Sequence, residues 1–162
     1  MRKQKITISV IGGHQISSDV EDLAYHVGRV VANCGATLVC GGLSGSMEFS
    51  AKGAKEAGGT TIGLLPGNDK DSANPYIDIA LPTTIGFARN AMVAASADII
   101  VALPGSNGTS CEISYGLVYN RPIINLGGWG HEGLIQVKDI DEAEEKIKEL
   151  IKGLLENCDG SK

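Results

Sequence analysis

The sequence predicts an α/β fold, a Rossmann-like three-layer sandwich with a mainly parallel sheet. Short segments rich in β-branched residues alternate with helical segments along most of the 162 residues. Three of the strand-like segments end in glycine-rich turns, which begin at Gly12, Gly41 and Gly105. Strands that alternate with helices favour a parallel sheet, because each parallel connection must cross back over the sheet, usually through a helix.

Seven short segments fit strands, because β-branched residues are concentrated in them and turn residues flank them. The last is a short edge strand, and Pro122 stands near the start of the one before it, a position that proline tolerates. The predicted strands cover residues 5–11, 37–40, 60–65, 76–81, 98–103, 121–126 and 135–137.

Five helices are expected between and after these strands. In the first, Leu23, Val27 and Val31 recur at helical spacing and should face the sheet. The last is amphipathic and begins near Asp141. The predicted helices cover residues 18–33, 46–57, 87–96, 112–120 and the segment from 141 to a flexible tail at residues 157–162.

Composition indicates a globular protein and makes two classes of partner poor candidates. The length fits one Rossmann-like domain spanning residues 1–162, with 43% hydrophobic and 20% charged residues. The formal net charge of −5 disfavours duplex nucleic acid and anionic membranes. No apolar stretch approaches the roughly 20 residues of a membrane span. We therefore expect no nucleic-acid partner and no membrane partner.

The cysteines and histidines predict no metal site. No two of the four cysteines have the Cys-x-x-Cys spacing of a zinc or redox centre, and the three histidines are scattered along the chain. We interpret the cysteines as reduced thiols of a cytoplasmic protein.

Residues 104–112, Pro-Gly-Ser-Asn-Gly-Thr-Ser-Cys-Glu, are the most informative stretch of the chain. They join a predicted strand to a predicted helix. Backbone N–H groups at the start of a helix suit a phosphate, and glycines there allow positive φ and close approach of a ligand. Gly105 and Gly108 are the glycines concerned, and at Gly108 we expect either positive φ or close approach of a ligand. The candidate phosphate-binding residues here are Gly105, Ser106, Asn107, Gly108 and Thr109.

Glu112 has two interpretations. Thr109 followed three residues later by Glu112 is the pattern of a capping box, in which the two side chains cap the helix start. Alternatively, Glu112 is a functional carboxylate beside the phosphate-binding turn. The sequence pattern leaves both open.

Two further glycine-rich turns belong to the candidate site. Gly12 and Gly13 follow the first strand, and Gly42, Ser44 and Gly45 follow the second. Both turns are candidate phosphate or ribose contacts, although the second is equally consistent with a tight turn that permits close packing. Because ligands of open α/β sheets bind beyond the carboxyl ends of the strands, the three turns can converge on one site.

Several common nucleotide and hydrolase motifs are missing. The first strand is not followed by Gly-x-Gly-x-x-Gly, and the chain has no Gly-Lys-Ser/Thr and no Gly-x-Ser-x-Gly. These absences argue against a conventional NAD site, a P-loop nucleotidase and a serine-hydrolase elbow.

Three blocks together resemble the LONELY GUY family. Residues 104–112 are similar to its Pro-Gly-Gly-x-Gly-Thr-x-x-Glu motif, and residues 86–90 and 41–47 extend the likeness. The resemblance covers residues 5–150, and the chain is most similar to a short branch that also resembles molybdenum-cofactor carrier proteins. It implies a nucleotide-binding domain that hydrolyses the N-glycosidic bond of a nucleoside 5′-monophosphate to base and ribose 5-phosphate. The family's motif residues fall on Arg89 and Glu112, which it implies to be catalytic.

Departures from the family pattern leave a second function open. Ser106 stands at the second motif glycine, Asn107 replaces a frequent aromatic residue, and Asn90 replaces a lysine. A chain with these changes can serve as a binding or carrier protein for a nucleotide or for molybdenum cofactor, or more remotely as a nucleotide-sensing module. Neither function requires a further cofactor, and the expected partner is a small phosphorylated ligand.

The apolar helix at residues 87–96 predicts a homo-oligomer, with a homodimer as its smallest unit. The family resemblance implies the same, because dimers of that family place the motif helices at the interface.

Overall fold

A computed structural model describes residues 5–159 and the side chains of residues 5–156. Its seven strands are β1 Thr7–Ile11, β2 Thr37–Cys40, β3 Thr60–Leu65, β4 Ile79–Pro82, β5 Ile99–Ala102, β6 Ile123–Asn125 and β7 Ile135–Gln136. They form one sheet of order β4-β3-β2-β1-β5-β6-β7 in which every pairing is parallel. The predicted α/β, Rossmann-like fold with a mainly parallel sheet is confirmed.

Five α-helices connect or follow the strands: α1 Ser18–Asn33, α2 Ser46–Glu56, α3 Arg89–Ala95, α4 Asn107–Val118 and α5 Ile140–Asp159. Helices α1, α2 and α5 cover one face of the sheet, where Val27, Ala54 and Ile147 are buried against strand residues. Helices α3 and α4 cover the other face, through Val93 and Ile113. Alternate residues of each central strand point into the two cores, which makes three layers.

The strand order reverses between β1 and β5. The chain first builds the sheet outward from β1 to β4, and then returns to place β5 on the free side of β1, with Ile11 opposite Ala102. The connections after β1 and β5 therefore leave toward opposite faces of the sheet. A crevice opens between them at the carboxyl ends of the strands, which is where ligands of such sheets bind.

Two glycines let α1 and α2 pack in close contact. A Cβ on Gly28 would lie 1.9 Å from the carbonyl oxygen of Ser50, and one on Gly53 would lie 2.0 Å from that of Tyr25. Only glycine permits such an approach of two helix backbones. This packing fixes the start of α2 beside the turn that follows β1.

Several segments differ from their predicted bounds, most of all helix α4, which covers Asn107–Val118 and not residues 112–120. Strand β4 begins at Ile79 rather than residue 76, because the Asp78 carboxylate accepts a bond from the Thr61 N–H, 2.9 Å away, and holds the preceding residues in a turn. The helix predicted at residues 87–96 begins as a 3₁₀ turn, Gly86–Ala88. Helix α5 continues to Asp159, so three residues of the predicted tail are helical, and residues 160–162 lie outside the described part of the chain.

Two sequence properties have simple structural counterparts. Among residues 5–156, Cys34, Cys40 and Cys111 form no disulfide, and the side chain of Cys158 lies outside these residues. None of the described helices combines the length and the apolar character that crossing a membrane requires.

Candidate functional site

A cavity of about 300 Å³ lies at the carboxyl ends of the central strands. It is bordered by the turns that follow β1, β2 and β5 and by the start of α3. Eight of the residues that the sequence predicts for the site line it: Gly12, Gly13, Ser44, Arg89, Ser106, Gly108, Thr109 and Glu112.

Gly13 ties the three turns together. Its N–H donates to the carbonyl oxygen of Pro104, 3.0 Å away, and its own carbonyl oxygen accepts from the N–H of Ser46, 2.9 Å away. The turn after β1 is thus bonded to the turn after β5 and to the first residue of α2. These backbone bonds hold the walls of the cavity in register without side chains.

Four predicted site residues do not line the cavity. Gly42 and Gly45 have φ of 77° and 67°, and a Cβ on Gly45 would lie 2.4 Å from the carbonyl oxygen of Gly13. A Cβ on Gly105 would lie 2.2 Å from Thr109 Oγ1. Asn107 is the first residue of α4. The three glycines shape the turns around the cavity.

Neither Gly105 nor Gly108 is in the left-handed region, so positive φ, one of the two alternatives expected at Gly108, is not the reason for this glycine. Gly108 lies in the first turn of α4, where its backbone is helical. A Cβ there would meet only the Nδ2 atom of Asn90, at an ordinary 3.6 Å. Gly108 therefore leaves space at the cavity wall and does not serve a backbone conformation that excludes other residues.

The capping-box interpretation of Glu112 is also wrong. Helix α4 begins at Asn107, so Thr109 and Glu112 are its third and sixth residues, and Ser106 occupies the cap position without a side-chain cap bond. The bond from the Ser110 N–H to the Ser106 carbonyl oxygen, 3.0 Å long, is the first of the helix. The N–H groups of residues 107–109 precede it and have no partner within the helix, which is the arrangement that binds anions.

Glu112 is buried, with 6% of its surface exposed, and it faces the cavity. Its carboxyl group makes no hydrogen bond and no salt bridge to any of the described residues. Burial raises the pKa of Glu112 to about 8, although the positive charge of Arg89 acts in the opposite direction. The carboxyl group is therefore mostly protonated at neutral pH.

Arg89, the first residue of α3, is the charged group that shares this cavity. Its guanidinium donates through Nη1 to Asn90 Oδ1 and through Nη2 to the carbonyl oxygen of Gly41, 3.4 Å away. Nε is buried without a partner. Burial lowers the pKa of Arg89, and Glu112 opposes that shift. An arginine remains charged in proteins, so the cavity holds a buried cation with unused donor capacity.

Eight lining residues were not predicted as site residues. The sequence offered a signal for five of them, because residues 41–47 and 86–90, which include Gly41, Leu43, Met47, Phe87 and Asn90, resemble family motifs. The others looked like strand ends or turn residues. The unpredicted lining residues are Val10, Ile11, His14, Gly41, Leu43, Met47, Phe87 and Asn90.

The arrangement suits an anionic ligand with an apolar part. Arg89 and the first N–H groups of α4 favour an anion, while Leu43, Met47 and Phe87 give the cavity apolar wall. Among the described residues, no group of three or more His, Cys, Asp or Glu side chains could hold a metal ion.

Comparison with known proteins relates the chain to two groups. It is 30% identical over 123 residues to the cytokinin riboside 5′-monophosphate phosphoribohydrolase of Mycobacterium tuberculosis, covering 70% of this chain and 66% of that protein. The structure is similar to the molybdenum cofactor binding protein of Rippkaea orientalis, with a TM-score of 0.87, 30% identity and coverage of 92% of this chain and 99% of that one. It is also similar to the molybdenum cofactor carrier protein of Chlamydomonas reinhardtii, with a TM-score of 0.84, 31% identity and coverage of 92% and 99%.

The likeness to the phosphoribohydrolase and to the carrier proteins confirms the resemblance expected from residues 41–47, 86–90 and 104–112. The model of the SLOG cluster4 family matches residues 5–152, which is most of the chain. The protein belongs to the SLOG cluster4 family.

Proposed function

We propose that the cavity binds a nucleoside 5′-monophosphate and cleaves its N-glycosidic bond, which is the reaction of a phosphoribohydrolase. One observation carries this proposal: Glu112, a buried carboxyl group without a hydrogen-bond partner, faces the same cavity as the buried cation Arg89. The proposal includes a single nucleotide-binding domain over residues 1–162, a cytoplasmic location and no further cofactor.

In this proposal the phosphate binds at the start of α4. The unpaired N–H groups of residues 107–109 and the positive end of the helix favour a dianion there. Arg89 adds a full positive charge beside the phosphate. Ser44 and the Gly12-Gly13 turn then border the ribose. The roles of Gly42, Gly45 and Gly105 are limited to shaping the turns, and Asn107 contributes its backbone N–H.

Glu112 acts on the glycosidic bond. When the bond between C1′ and the base nitrogen breaks, its electron pair stays with the base and positive charge develops on the ribose. Water then adds a hydroxyl group to C1′ and its proton is delivered to the base. The ionised form of Glu112, which is the minor form at neutral pH and grows as the pH rises toward 8, stabilises the positive charge in the transition state more than it stabilises the bound substrate. That difference is the requirement for catalysis.

A carrier of molybdenum cofactor is the second candidate, and a specific observation favours it. The match to each of the two carrier or cofactor-binding structures covers 99% of that chain, whereas the match to the phosphoribohydrolase covers 66% of that protein. A carrier assigns no task to the carboxyl group of Glu112, whereas the hydrolase uses it to stabilise the positive charge that develops on the ribose. We therefore prefer the hydrolase.

We further propose that the protein is a homodimer or a larger homo-oligomer. Helices α3 and α4, on one face of the sheet, and the turns beside them expose large apolar side chains: Phe87 in the turn before α3 is 88% exposed and Val118 in α4 is 71% exposed. Met92, Tyr115 and Tyr119 are also exposed. Exposed apolar side chains on neighbouring helices suit a subunit interface.

We expect Gly108→Val to abolish binding of AMP while the fold is retained. The helical backbone at this position accepts a side chain, but the branched side chain would project from the wall of the cavity toward the bound phosphate. Isothermal titration calorimetry measures the loss of affinity. Gly153→Val is the matched control, because Gly153 also lies in a helix and has open space around it. Unchanged AMP affinity in a folded Gly108→Val variant would place the phosphate elsewhere.

We expect Glu112→Gln to lower the rate of base release from AMP by roughly a hundredfold or more, on the scale of a lost electrostatic catalyst, with a small change in affinity. The amide keeps the size of the side chain but carries no charge in the transition state. Arg89→Ala should weaken both binding and turnover, because it removes the buried cation.

The assay quantifies free base released from AMP and other nucleoside monophosphates. If the wild-type protein binds these nucleotides but releases no base, the carrier function replaces the hydrolase. If release survives Glu112→Gln, the protein is a hydrolase in which Glu112 has no catalytic role.

For the assembly, multi-angle light scattering at micromolar concentration should give at least twice the chain mass of 16.8 kDa. Replacing the exposed Val118 by Asp should shift the mass toward the monomer, since a charge in an apolar interface is costly. A monomeric wild-type protein would contradict the proposal.

A further inference from the structure

Asn90 is a buried polar residue of the cavity to which the proposed reaction assigns no role. It is the second residue of α3, only 4% of its surface is exposed, and it lines the cavity between Arg89 and the start of α4. Buried amides normally have partners for both ends of the side chain. The oxygen and the nitrogen of the Asn90 amide are therefore each expected to have a partner.

The contact with Arg89 determines which end of the Asn90 amide is the oxygen. Oδ1 accepts a hydrogen bond from Arg89 Nη1. A guanidinium has five N–H donors and no acceptor, so only the oxygen can face it favourably. The amide orientation is thereby fixed by chemistry, and Nδ2 must point away from Arg89.

The nitrogen of the amide has no partner among the described residues. It is not sealed in protein either, because the buried side-chain atoms without partners are Ser46 Oγ, Arg89 Nε and Arg121 Nε. A Cβ built on Gly108 would lie 3.6 Å from Nδ2, which places this donor next to the first turn of α4. Two N–H donors of Asn90 therefore face the cavity where the helix presents its own N–H groups.

We infer that Asn90 is a ligand-binding residue that donates from Nδ2 to the ligand's phosphate, while its Oδ1 holds Arg89 in place. This inference rests on the proposed binding of a nucleoside monophosphate. The phosphate would receive a charged donor from Arg89, a neutral donor from Asn90 and backbone donors from α4. Asn90 thus sets how much positive charge the phosphate meets, because an amide donates without adding a cation.

Two substitutions separate the two ends of the amide. Asn90→Asp keeps an acceptor for Arg89 and removes the donor toward the ligand. Asn90→Lys keeps a donor toward the ligand and removes the acceptor for Arg89. Isothermal titration calorimetry with AMP and with ribose 5-phosphate at neutral pH gives the affinities. Asn68→Asp, at an exposed position, controls for the change in net charge, and thermal unfolding verifies that each variant is folded.

We expect Asn90→Asp to weaken binding of both ligands at least tenfold, and Asn90→Lys to bind within about threefold of wild type or more tightly, consistent with the loss or retention of a hydrogen bond to a charged group. In the opposite order, Asn90→Asp would retain the wild-type affinity and Asn90→Lys would lose it. That result would mean that Asn90 only positions Arg89, and it would overturn the inference while leaving the proposed function intact. If wild-type protein binds neither AMP nor ribose 5-phosphate, the proposed function and this inference both fail.

Discussion

The burial of two ionisable side chains in one cavity is the constraint on which the site depends. Arg89 and Glu112 are 7% and 6% exposed, and no salt bridge joins them within the described part of the chain. Burial penalises the charged form of each group, and the attraction between them only partly offsets this penalty. The carboxyl group is the one that becomes neutral, because an arginine loses its proton only at very high pH. At neutral pH Arg89 is therefore charged and Glu112 is mostly neutral. A third buried group, the Cys40 thiol, is also neutral, since burial raises its pKa to about 12.

The fold makes this arrangement possible because backbone hydrogen bonds, and not side chains, hold the turns around the cavity together. Reversal of the strand order between β1 and β5 opens the crevice, and the backbone bonds of Gly13 tie the surrounding turns together. The close packing of α1 on α2 through Gly28 and Gly53 fixes the start of α2 beside those turns. Gly12, Gly13, Gly41 and Gly108 therefore contribute backbone to the cavity wall, and polar side chains such as Arg89 and Glu112 face it from α3 and α4. Such preorganisation is what allows a small number of groups to determine ligand choice and chemistry.

Most of the fold could be predicted from the sequence, because the periodicity of its hydrophobic residues distinguishes strands from helices. The bounds of β2, β3 and α1 agree with the structure because glycines and turn residues mark their ends clearly. The site was harder to predict, because a motif specifies which residues are present but not which way they face. Thr109 and Glu112 have the spacing of a capping box, yet the helix starts two residues before Thr109, and its sixth residue, Glu112, is buried. Asn90 gave no signal of its own, since its importance comes from an arginine beside it and a helix start that only the tertiary structure brings close.

The central claim is that Glu112 is a buried, unpaired acid, and its pKa tests that claim most directly. A ¹³C-detected NMR titration of the glutamate carboxyl groups, assigned by comparison with Glu112→Gln, should give Glu112 a midpoint near 8, whereas an ordinary glutamate titrates near 4.5. The raised pKa means that the folded state holds a proton that the unfolded state has lost. The free energy of unfolding of the wild type should therefore fall as pH rises from about 4.5 to about 8, and Glu112→Gln should lack this fall. A midpoint near 4.5, with the same pH dependence of stability in both proteins, would contradict the account.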